Sequence, residues 1–67
     1  MIGDRIKYVR DINKMSQDDF AKSLNVSKQD VFNWENNYII PPIDIVKAIA
    51  LKYRVSADFL LTLVDHL

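Results

Sequence analysis

The chain has 67 residues, 49% of them apolar and 27% charged, and its nine Lys and Arg balance nine Asp and Glu to give zero formal net charge. This is the length and composition of one globular domain, residues 1–67. The absence of Cys excludes a disulfide framework, a thiolate metal site and a cysteine nucleophile, and makes a reducing cytoplasm the default expectation.

Apolar runs such as residues 48–51 are too short to span a bilayer, and the start, residues 1–5, includes an acid and no signal-peptide core. One Gly and two Pro argue against disorder and against a turn-rich β fold. The apolar spacing is helical. Ile2, Ile6, Val9 and then Ile12 mark a first helix over roughly residues 2–13, with Asp4 in its first turn and Lys14 beyond its end, as the helix dipole favours. Ser16 is suited to cap a second helix, with Asp19 three residues on and Phe20, Ala21 and Leu24 along one face. Asn25 tolerates the left-handed conformation that ends helices. Ser27 with Asp30 repeats the capping signal, and Val31 and Trp34 mark a third helix. Two short helices separated by three or four residues have helix-turn-helix spacing. Pro41 and Pro42 interrupt the pattern, and Pro42 is placed to open a fourth helix at its first position. That helix carries Ile45, Val46, Ile49, Ala50 and Tyr53, and Arg54 ends it. Ser56 caps a fifth helix with Phe59, Leu60, Leu63, Val64 and Leu67 apolar. The expected fold class is all-α: five helices and no strand.

Residues 16–37, SQDDFAKSLNVSKQDVFNWENN, resemble the lambda-repressor and Cro-like helix-turn-helix family of the xenobiotic-response-element type. Each position of that family's pattern is met: Ser16, Gln17, Phe20, Ala21, Leu24, Asn25, Val26, Ser27, Val31, Trp34 and Glu35. The opening IGDRIKYVRD, the Pro41 region and the VSADFLL ending also look like the family's flanking helices, so the resemblance covers nearly the whole chain. It implies a compact five-helix DNA-binding domain whose third helix enters the major groove.

The side-chain chemistry agrees. With Val31 and Trp34 turned inwards, the third helix shows Lys28, Gln29 and Asn33 to solvent. Gln29 and Asn33 can pair with adenine N6 and N7, and Lys28 can donate to guanine O6 or N7. Gln17, in the first turn of the second helix, is suited to a phosphate, and so are Asn36, Asn37, Lys14 and Tyr38. The resemblance further implies an ion pair of Arg10 with Glu35, in a structural role. Phe32 is expected to pack on Tyr38 or residues 39–40, with a thymine methyl as the alternative partner. Asp30 reads as the cap partner of Ser27, with cytosine N4 as the alternative.

Other features take ordinary readings. Asp18 and Asp19 lie in a first helical turn, where acids are favoured, with no nucleophile or base placed beside them. His66 is a solvated terminal residue, and no metal or other cofactor is expected. Lys47, Lys52 and Arg54 read as a solvated face, from which Lys47 alone is a further phosphate candidate. Leu63, Val64 and Leu67 are expected to form a homodimer contact, or else to complete a small core. A dimer would set two third helices about 34 Å apart, one DNA turn, and read a palindromic operator. The expected partner is therefore double-stranded DNA, the expected origin bacterial, phage or mobile-element, the expected role repression in the cytoplasm, and no membrane is involved. A protein-interaction module on the same fold, antitoxin-like or partner-binding, is the competing reading, and an apolar patch over the third helix would favour it. An enzyme is not expected, because the chain has no nucleophile–base set, metal cluster or phosphate-binding glycine loop.

Overall fold

The computed structural model describes residues 1–61. Among these residues there are five helices and no strand: α1 Ile2–Ile12, α2 Gln17–Ser23, α3 Lys28–Glu35, α4 Ile43–Tyr53 and α5 Ala57–Leu60. Leu63, Val64, His66 and Leu67 lie outside the described residues.

Local chemistry sets each boundary. The Ser16, Ser27 and Ser56 hydroxyls accept the backbone N–H groups of Asp19, Asp30 and Phe59, and so satisfy donors that a helix start leaves unpaired. At Ser27 the capping box is complete, because the Asp30 carboxylate accepts the Ser27 N–H in return. Asp30 therefore serves as the cap partner its spacing suggested. Pro42 sits one position earlier than expected, as the N-cap of α4 with Ile43 first in the helix.

Three helix ends repeat one geometry. Lys14, Asn25 and Asn37 have positive φ of 55°, 60° and 61°. At each, the next residue's N–H reaches back to the third residue from the helix end: Met15 to the Arg10 carbonyl, Val26 to Ala21 and Tyr38 to Asn33. This Schellman arrangement satisfies the last carbonyls and turns the chain sharply. Arg54, at φ 57°, closes α4 in the same region of conformational space. Lys52 is not simply a solvated cation, since its Nζ donates to the Ser23 carbonyl at 2.6 Å and ties α4 to the end of α2.

The core is Ile6, Val9, Phe20, Ala21, Val31, Trp34, Val46, Ile49, Val55, Phe59 and Leu60, drawn from all five helices and the α4–α5 turn. Ala21 is fully enclosed, as a small residue between α2 and α3 must be. Phe20 stacks on Tyr53 at 5.1 Å. Phe59 and Leu60 are both buried, and the Phe59 ring meets Tyr8 of α1 at 5.9 Å with Arg5 over its face. Ile12 departs from its expected place on the buried face and is 47% exposed, because it falls at the rim of α1 as the helix ends.

The single glycine is required by packing. A Cβ on Gly3 would collide with the carbonyl oxygens of Trp34 and Glu35 and with Asn37 Oδ1, so only a hydrogen at this position lets the start of α1 approach the end of α3. Gly3→Ala gains up to about 1 kcal/mol in helix propensity. The forced separation of α1 and α3 is expected to outweigh this gain and leave the variant about 1–3 kcal/mol less stable. Urea denaturation measures the difference, and a Gly3→Ala domain as stable as the parent would refute the close approach.

Candidate nucleic-acid interface

The outer face of α3 is positioned from behind. Val31 and Trp34 are buried, and Glu35, on the same inner side, is a buried carboxylate whose side chain is 3% exposed. Its charge is met by Arg10 of α1, whose Nε donates to Oε2 at 2.7 Å and whose Nη2 donates to Oε1 at 3.0 Å. Gln17 Nε2 donates to the same Oε1 at 3.1 Å, and Arg10 Nη1 donates to the Met15 carbonyl at 2.9 Å. The Glu35 carboxylate thus joins the end of α3 to α1 and to the first residue of α2, and Arg10 extends the network to the α1–α2 turn. No buried side-chain polar atom is left unpaired among the described residues.

With that inner side engaged, α3 presents Lys28, Gln29, Phe32, Asn33 and Asn36 outwards. Lys28 and Gln29 are exposed and Asn33 is half-buried. Gln29 Nε2 donates to Asn33 Oδ1 at 3.1 Å, so the two amides are aligned on one stripe one helical turn apart. This leaves the side-chain oxygen of Gln29 as an acceptor and the amide nitrogen of Asn33 as a donor. Phe32 meets Tyr38, one of its expected partners, edge-on at 6.1 Å.

The residues expected to hold phosphate have more particular settings than their types suggested. Gln17 is half-buried, and one of its amide hydrogens is committed to Glu35. Asn36 uses one of its two to close the Phe32 carbonyl at 2.9 Å. Asn37 accepts the Gly3 N–H through its side-chain oxygen at 3.0 Å, so it satisfies a donor in the first turn of α1 and keeps its amide nitrogen as a donor. Lys14 and Tyr38 are exposed, Lys14 at the left-handed position after α1. The structure brings Gln17, Lys28, Gln29 and Asn33 to the α2–α3 unit, and Asn36, Asn37 and Tyr38 to the turn after α3. Sequence reasoning missed the Gln17–Glu35 and Gly3–Asn37 bonds, which join distant segments and leave no local signal.

A protein-family model described as helix-turn-helix matches residues 6–60. The chain belongs to the Cro/C1-like helix-turn-helix family. Members of this family are DNA-binding regulators and not enzymes. The domain is 32% identical over 60 residues to the HTH-type transcriptional regulator ImmR of Bacillus subtilis (strain 168), covering 90% of this chain and 47% of ImmR. The chain therefore spans about half the length of that relative. Two solved structures superimpose closely. The master regulator for biofilm formation SinR in complex with DNA matches with a TM-score of 0.82 at 31% identity, covering 91% of this chain and 98% of that one. The P22 c2 repressor in complex with a synthetic operator matches with a TM-score of 0.82 at 27% identity, covering 90% of this chain and 91% of that one.

Within this helix-turn-helix domain the Arg10–Glu35 pair is the most heavily connected polar contact described. Its hydrogen bonds to the Glu35 carboxylate raise the Arg10 guanidinium above its ordinary range against the opposing effect of burial, and the charges of Glu35 and Asp11 add to it. A cation with a raised value stabilises the fold at every pH below its ordinary range, and the contribution fades only as pH climbs through the raised value. The pair is therefore constant across neutral pH. Arg10→Ala leaves a buried carboxylate without its counter-charge, and a loss of about 3–5 kcal/mol is expected. A smaller loss in Arg10→Met/Glu35→Leu than in Arg10→Ala, measured by urea denaturation, would confirm that the stranded charge carries the cost.

Proposed function

We propose that this domain is a sequence-specific DNA-binding transcriptional regulator that lays α3 in the major groove of double-stranded DNA. The observation that carries this reading is the division of α3 into two sides: Val31, Trp34 and Glu35 buried and clamped, Lys28, Gln29 and Asn33 turned to solvent. That outer side is made mostly of amides and an ammonium group, with Phe32 as its one exposed ring, and a polar surface of this kind favours base edges over a protein partner. Gln29 and Asn33, already bonded to each other, offer an acceptor and a donor to adenine N6 and N7, and Lys28 offers a donor to guanine. Gln17, Asn37, Asn36, Lys14 and Tyr38 are the proposed phosphate contacts on either side of α3, and they fix register rather than sequence.

The likeness to SinR and to the P22 c2 repressor, each solved with DNA, supports the same reading. Among the described residues no helix is long and apolar enough to cross a membrane. The proposed location is the cytoplasm, where bacterial DNA lies, and the proposed outcome is repression by occupancy of an operator. A homodimer on a palindromic site completes the proposal. Leu63, Val64 and Leu67 are its proposed contacts. An apolar cleft of about 270 Å³ lined by Met1, Ile2, Asn37, Ile39, Ile40 and Leu61 lies beside the end of α3.

Enrichment of bound sequences from a random DNA pool tests the proposal directly. Lys28→Ala and Gln29→Ala are each expected to weaken binding to the enriched site by about 1–3 kcal/mol with unchanged thermal stability. Lys14→Ala is expected to weaken binding evenly across sequences and to lower the slope of log affinity against log salt by about 1. Full affinity in both α3 variants would remove α3 from the interface.

A further inference from the structure

We infer that Phe32 is a specificity-determining residue that contacts the 5-methyl group of a thymine in the major groove, an inference that rests on α3 being the groove helix. The outer face of α3 is a row at helical spacing: Phe32 stands four residues after Lys28, three after Gln29 and four before Asn36, with Asn33 beside it. It is the one apolar side chain in that row. Phe32 keeps 41% of its surface open to solvent beside Tyr38, which is itself 71% exposed, so part of the ring remains available to a partner on the outer face of α3.

The Tyr38 ring lies edge-on to that of Phe32 at 6.1 Å, and the backbone that carries both rings is fixed: the Tyr38 N–H bonds the Asn33 carbonyl across the left-handed turn at Asn37, and Asn36 closes the Phe32 carbonyl. A ring carried on a fixed backbone with a neighbouring ring has less conformational freedom to lose on binding. An A·T base pair presents an N6 donor and an N7 acceptor on adenine, and on thymine a 5-methyl group, which is the only apolar group on either base edge in the major groove. The Gln29–Asn33 stripe matches the adenine edge, and the neighbouring ring matches the thymine methyl.

The test uses duplex DNA enriched from a random pool by the 67-residue chain, with each thymine replaced in turn by deoxyuridine, which removes only the methyl group. At one thymine, deoxyuridine is expected to weaken binding about three- to five-fold, the worth of one buried methyl group. Phe32→Ala should bind the thymine and deoxyuridine duplexes equally, and Phe32→Leu should keep part of the difference. Circular dichroism establishes that both variants are folded. The inference is overturned if no thymine responds, if the discrimination survives in Phe32→Ala, or if Phe32→Ala weakens both duplexes without changing their ratio, the pattern of ring packing on sugar. Failure to enrich any sequence would overturn the groove reading, and this inference with it.

Discussion

Glu35 places a negative charge in the interior of a very small protein, and the outer face of α3 depends on how that charge is met. An isolated carboxylate at such a depth would carry a desolvation cost of several kcal/mol. Here it receives two hydrogen bonds from Arg10 and one from Gln17, and Arg10 in turn closes the Met15 carbonyl. The result is geometric as well as energetic. The planar guanidinium pairs with the carboxylate in one orientation, so the ion pair acts together with the buried Val31 and Trp34 to hold the rotation of α3 against α1 and α2. Which residues α3 turns to solvent follows from that rotation.

A second constraint acts at the helix ends. The short connections before and after α2 and after α3 each turn through one residue in the left-handed region, and none of these residues is glycine. Asn tolerates this conformation well, whereas Lys14 and Arg54 do so at some steric cost, offset by backbone bonds that satisfy the last carbonyls of their helices. Gly3 has helical backbone geometry and serves another end: without a side chain, it lets the first turn of α1 rest on the last turn of α3. Asn37 acts in both devices, because its backbone turns the chain and its side-chain oxygen receives the Gly3 N–H. The region beside the proposed phosphate contacts is thereby tied to the start of the chain.

Zero net charge sets this domain apart from strongly basic nucleic-acid binders, in which counterion release supplies much of the affinity. The acids have structural duties that explain part of the balance. Glu35 is spent on Arg10, Asp30 on the Ser27 cap, and Asp18 pairs with Lys22 along α2 at 3.2 Å. An interface with few uncommitted cations leans on amide and apolar contacts for discrimination and on a second subunit for affinity. The amide stripe and the exposed Phe32 ring are consistent with the first of these.

Much was legible from the residues alone, wherever the determining physics is local. Serine caps, apolar spacing at three and four residues and asparagines after helices identify the five helices, because each depends on neighbours within one or two turns. The inward Val31 and Trp34 likewise leave Lys28, Gln29 and Asn33 as the outer row by helical geometry. What depends on distant segments was not legible. The Gln17–Glu35 bond, the Gly3–Asn37 bond, the anchoring of Lys52 on Ser23 and the exposure of Ile12 are set by how helices pack, and periodicity carries no record of which rim residue a neighbour will cover. The sequence by itself determined the helices and the chemistry of the outer row; only the tertiary structure decided which polar groups are already engaged, because a hydrogen bond between residues far apart in the chain exists only once the core has brought them together.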